Sequence, residues 1–89
     1  MTSESTSLLE FPCAFPIKAM GRSGPGFEET VEKIVFRHAA AYSDESVVAR
    51  PSGAGNFVSV TITVRAESRE QLDRIYQDLT DCELVLMAL

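Results

Sequence analysis

The chain is short of basic residues. Lysine and arginine total 8 against 13 aspartates and glutamates, for a net charge of −5. Nucleic-acid and anionic-membrane binders draw much of their affinity from basic side chains meeting phosphates, so neither partner is expected. Long apolar runs are also missing. None approaches the ~20 residues of a membrane span, and no basic-then-apolar leader is visible at the N-terminus. Cysteine occurs only as Cys13 and Cys82, without Cys-x-x-Cys spacing. That pattern gives no metal site, and the two read as reduced thiols of a cytoplasmic protein. His38 is the one histidine, and no nucleophile–base pair stands out around it. With 89 residues there is one domain, a thin core and no room for a deep cleft. No catalytic residue and no cofactor is expected.

What is present centres on Arg50 to Arg65. From Phe57 the residues alternate: Val58, Val60, Ile62 and Val64 point one way, and Phe57, Ser59, Thr61, Thr63 and Arg65 the other. Period 2 with β-branched residues predicts a strand with one apolar and one hydroxylated face. Pro51 to Asn56 is a loop by composition, with glycines suited to positive φ. Ser46 to Arg50 predicts a shorter strand, so the unit is a β-hairpin.

Met1 to Ser7 is polar and is expected to be a disordered tail, leaving 8–89 as the domain. Leu8, Leu9 and Phe11 are expected to pack on the domain edge. Ala14 to Met20 predicts a strand with Phe15, Ile17 and Ala19 on one face, irregular near Pro16 because proline donates nothing to a ladder. A helix is expected from Pro25 to Ala40, capped by Ser23 or Gly24, with Phe27, Val31, Ile34, Val35 and Ala39 at helical spacing. Phe36 falls on the opposite face. His38 lies near the apolar stripe, where a structural role suits it. Ser68 to Gln71 fits a capping box, and Leu72, Ile75, Tyr76 and Leu79 form the stripe of a second helix. Cys82 to Leu89 reads as a last strand, apolar on both faces.

The order β-α-β-β-α-β predicts an α+β, ferredoxin-like sandwich, a four-stranded antiparallel sheet with both helices on one face. The first and third strands are expected to be central and parallel to each other, with the second and fourth at the edges. A last strand with an apolar outer face and no guarding lysine or proline predicts pairing with a second copy. Phe57, Leu84, Leu86 and Met87 are the candidate interface residues of a homodimer.

Function has to come from sites rather than from the fold. Base stacking on the sheet would need more aromatics than Phe57 alone. A small-anion or acyl-phosphate enzyme would use Arg22 to hold the anion and Asn56 to position water, with helix amides assisting. A regulatory module is the better fit. Arg22-Ser23-Gly24-Pro25-Gly26-Phe27 resembles the first-loop signature of ACT domains, with Pro25 and Gly26 matching and Ser23 and Gly24 standing where the family has an acidic residue. That resemblance implies a small carboxylate effector at Arg22, Ser23, Gly24, Pro25 and Gly26. A broader resemblance rests on Leu8 to Pro12, Lys18 to Gly21, Arg37-His38, Pro51-Ser52 with Gly55-Asn56, Ser59 to Thr63, Glu70 to Leu72 with Ile75-Tyr76, and Val85 with Met87 and Leu89. Together these look like the YbeD family of small uncharacterised bacterial proteins with an ACT-like fold. The resemblance implies a cytoplasmic, non-enzymatic protein with a loose tie to lipoate metabolism, and it supplies no catalytic residues.

Overall fold

A computed structural model describes residues 10–89. The expected tail at Met1 to Ser7 and the edge packing of Leu8 and Leu9 lie outside the described residues. Six elements follow in order: β1 (Cys13–Arg22), α1 (Phe27–Phe36), β2 (Val47–Ser52), β3 (Phe57–Ala66), α2 (Arg69–Asp81) and β4 (Met87–Ala88). The sheet order is β2-β3-β1-β4 and every pairing is antiparallel. This is the ferredoxin-like arrangement, with β1 and β3 central. Those two strands are antiparallel, against the parallel pairing expected above. The crossover through α1 makes β1 and β2 parallel, and the β2–β3 hairpin then reverses the chain.

The face assignment of β3 holds. Val60, Ile62, Val64 and Ala66 are buried, as are Ile17 and Ala19 of β1. Phe27, Val31, Ile34 and Val35 of α1 and Leu72, Ile75 and Leu79 of α2 complete the core from one side. Phe11 packs on its margin. Among the described residues, no helix covers the outward positions of the sheet.

Several boundaries differ from the sequence reading. β2 runs Val47–Ser52, so Pro51 and Ser52, expected in the loop, pair with Val58 and Phe57. β1 runs in unbroken register past Pro16, from Cys13 opposite Ala66 to Arg22 opposite Phe57. The Lys18 N–H points to the Leu89 oxygen, so the nitrogen of Pro16, two residues earlier, faces the same side. β4 does not extend that far, so the missing donor costs no ladder bond. α1 begins at Phe27, not Pro25. Its N-cap is Gly26 in the left-handed region (φ 89°), with no side-chain cap. Its far end stops at Phe36 because Ala40 to Tyr42 turns to run beside β3, with Arg65 N–H donating to the Ala40 oxygen and Tyr42 N–H to the Thr63 oxygen. The expected last strand at Cys82 to Leu89 shrinks to Met87–Ala88. α2 ends only at Asp81, and the chain must turn through Cys82–Val85 before it can return along β1.

Candidate functional site: the open face of the sheet

The hairpin turn shapes the first part of this face. Gly53, Ala54 and Gly55 all have positive φ. A Cβ on Gly53 would sit 2.8 Å from the Phe57 ring, so glycine there lets the ring lie against the turn. Phe57, Ser52, Gly53 and Met20 then line a hollow of about 280 Å³ that Leu86 and Met87 close on the β4 side. Nearly all of its lining is apolar. The Arg22 guanidinium lies 5.7 Å from the Phe57 ring centre at its margin, a cation–π contact.

β4 and the residues flanking it bring apolar side chains to this edge. Leu84, Leu86, Met87 and Leu89 are 53%, 58%, 52% and 62% exposed. Leu86 N–H donates to the Met20 oxygen, and Leu89 exchanges two main-chain hydrogen bonds with Lys18. The Tyr76 hydroxyl donates to the Leu89 main-chain oxygen at 2.8 Å, tying the end of β4 to α2, and burial raises the Tyr76 pKa. Of the four candidate interface residues, the structure brings Phe57, Leu86 and Met87 to one hollow. Leu84 stands apart in the preceding turn, where its carbonyl packs near Gly21.

The first loop is held from below. Ser23 N–H donates to the Asn56 oxygen at 2.9 Å, so the β1–α1 loop and the hairpin turn are neighbours. Arg22 through Gly26 are exposed, while Phe27 drops into the core. Arg22 projects onto the open face, the opposite side of the sheet from α1. Its side chain and the first amides of α1 therefore do not converge. Arg22 and Asn56 are brought close by the Ser23–Asn56 backbone bond, and no hydrogen bond joins their side chains.

His38 sits between the helices. Its Nε2 lies 2.6 Å from Asp78 Oδ2, and Arg37 approaches the same carboxylate at 3.6 Å. Gln71 Nε2 donates to the His38 carbonyl, and its Oε1 accepts from Glu67 N–H. Ser68 Oγ accepts from Gln71 N–H, so the capping box forms with Glu67 N–H taking the reciprocal bond. This network fastens the end of α1 to α2. The partner Asp78 was missed from sequence, although a carboxylate flanking the buried Ile75 and Leu79 was a usable signal. Among the described residues, no group of three or more His, Cys, Asp and Glu is arranged to hold a metal ion. No helix among them is long and apolar enough to cross a membrane.

Against known proteins, residues 6–89 match the model of a family described as proteins of unknown function, DUF493. The chain belongs to that family. Its similar relatives are named UPF0250 proteins. One from Paraburkholderia phytofirmans is 48% identical over 89 residues, covering 100% of both chains. One from Leptothrix cholodnii is 48% identical over 83 residues, 93% of this chain and 91% of its own. One from Neisseria gonorrhoeae is 46% identical over 84 residues, 94% and 92% respectively. These full-length matches to small bacterial proteins bear out the family resemblance drawn from Leu8 to Leu89.

A second, shallower concavity lies on α1, where Glu29, Glu32, Lys33 and Phe36 enclose about 440 Å³. Phe36 is exposed there, as its place on the helix predicted. Burial, then Glu28 one turn earlier, raises the Glu32 pKa. Two carboxylates and one lysine make this concavity a charged helix surface, without the apolar lining of the sheet-face hollow.

Proposed function

We propose that the chain is a cytoplasmic, non-enzymatic regulatory or protein-interaction module that self-associates along its last strand. The observation that supports this is the edge segment around β4, where Leu84 and Leu86 before the strand, Met87 in it and Leu89 after it are all more than half exposed, with no lysine or proline between Cys82 and Leu89 to guard it. Joining through this edge continues the sheet into a second copy. Sedimentation of the full chain tests it: a concentration-dependent dimer that Leu86→Lys converts to monomer is the expected result, and a strict monomer at high concentration sinks it.

The first loop, Arg22 to Gly26, is the proposed effector site for a small carboxylate. Its exposure and its glycines support a ligand approaching the backbone. Lipoate and octanoate are natural titrants given the family resemblance. Amide shifts at Ser23 to Phe27 in a heteronuclear titration are expected, and flat spectra with both acids and with amino acids remove the effector and leave the interaction module. The Ser23–Asn56 hydrogen bond favours one other reading, a small-anion enzyme built on Arg22 and Asn56. Release of phosphate from an acyl phosphate, lost in Arg22→Ala, would be its mark.

A further inference from the structure

The open face of the sheet differs in charge from the rest of the surface. Its outward strand positions carry Lys18 and Arg22 from β1, Arg50 from β2 and Arg65 from β3. That is half of the chain's 8 basic residues. No strand residue among those described is Asp or Glu. The acids gather on the helices instead, at Glu28, Glu29 and Glu32 of α1 and at Glu70, Asp73, Asp78 and Asp81 of α2. A chain that is acidic overall therefore presents one cationic face. Among the described residues, Arg65 alone of the four cations is joined to a carboxylate, that of Glu67. The apolar hollow of Met20, Phe57, Leu86 and Met87 lies at the end of the face that carries Lys18, Arg22 and Arg50, with Arg65 at the other end.

We infer that this face docks an acidic segment of another protein, with a large apolar side chain of that segment seated in the hollow. Charge complementarity selects the occupant. A second copy laid face to face would set four cations against four cations. Its helix face would offer acids, but such a head-to-tail contact builds a ring or a filament rather than a closed pair. RNA supplies negative charge, yet Phe57 is the only aromatic on the outward strand positions, and reading bases on a sheet takes two or three stacking rings. An acidic segment with a Leu, Ile or Phe meets both the charge and the hollow. The inference rests on the chain being an interaction module. Leu86 and Met87 border both the hollow and the β4 edge, so Lys18 and Arg50, which only the sheet face uses, separate this inference from self-association.

The test is a heteronuclear titration of the full chain with extended peptides in which Glu or Asp alternates with Leu, Ile or Phe. Matched peptides carry Lys for every acid, and an oligouridylate strand serves as a third probe. The acidic peptides are expected to move the amides of Lys18, Met20, Arg22, Arg50, Phe57 and Met87. Their affinity is expected to fall about tenfold between about 0.05 M and 0.5 M salt, as charge steering is screened. Lys18 and Arg50 are exposed, so the double variant Lys18→Glu, Arg50→Glu should fold and lose about tenfold or more of that affinity. Its sedimentation should match that of the parent. Acidic and lysine peptides that behave alike, an absence of binding by any acidic peptide, or binding by the oligonucleotide alone would each overturn the inference. A chain that sediments as a strict monomer but still binds the acidic peptides supports this inference and removes self-association.

Discussion

The two faces of this sheet are made from the same strands and share nothing else. Inward positions of β1 and β3 are Cys13, Phe15, Ile17, Ala19, Gly21, Val58, Val60, Ile62, Val64 and Ala66, none of them charged, and they face the two helices. Outward positions of the same strands are Ala14, Pro16, Lys18, Met20, Arg22, Phe57, Ser59, Thr61, Thr63 and Arg65. Alternation along a strand lets one sequence specify a core and a contact surface at once, because a side chain's face depends only on its parity. The inner face should therefore answer to volume, and the outer face to charge.

Ile62→Ala breaks the comparison hardest. Ile62 is wholly buried at the sheet centre, and truncating it should cost about 2–5 kcal/mol in urea melts. A loss under ~1 kcal/mol would mean the inner face is not the stabilising one. Gly21→Ala tests the same face by overfilling. A Cβ at Gly21 would lie 2.5 Å from the Leu84 carbonyl and collide with the Phe27 ring. A loss of about 1–3 kcal/mol is expected from forcing that ring and turn apart. Unchanged thermal stability would show that the turn before β4 yields freely.

Asp78→Ala probes the rim between the faces. It removes the acceptor for His38 Nε2 while leaving the core intact, and should cost about 1 kcal/mol. Calorimetry that registers no change would make the interhelical network incidental. Lys18→Glu on the outer face should stay within about 0.5 kcal/mol of the parent in the same melts, since it touches no buried group.

The smallest effect belongs to Glu32. Burial and the neighbouring Glu28 raise its pKa in the folded chain, so folding favours its protonated form. Stability attributable to this group is therefore greatest at acid pH and declines as pH rises through the raised pKa. Glu32→Gln removes the like-charge pair one turn apart and should stabilise by about 0.2–0.5 kcal/mol at neutral pH. The gain should vanish in acid. Paired urea melts at the two pH values measure it, and a gain that persists in acid would point to packing at Phe36 rather than charge.

Much of this is legible in the sequence. The parity of β3, the stripes of both helices and the capping box at Ser68 are short-range patterns, and each appears as expected. The β-α-β-β-α-β order followed from them. The start of α1 was misplaced because Pro25 and Ser23 carry good capping chemistry, whereas the left-handed backbone at Gly26 is a conformational choice that composition does not reveal. The hollow was half legible. Phe57, Leu86 and Met87 were named from the apolarity of their strands, but grouping them with Ser52 and Gly53 required knowing which turn meets which edge.

The sequence by itself determined which residues leave water. Burial follows from side-chain chemistry and from periods of 2 and 3.6 residues, and both are written locally. Tertiary structure alone decided what meets at long range: β1 antiparallel to β3, His38 against Asp78, β4 cut to two residues, and four cations gathered on one face. Those depend on how far α2 runs before the chain turns and on the direction each strand takes after its connection. Neither is set within a single window of sequence, because each is fixed only when distant segments compete for the same hydrogen bonds and the same core.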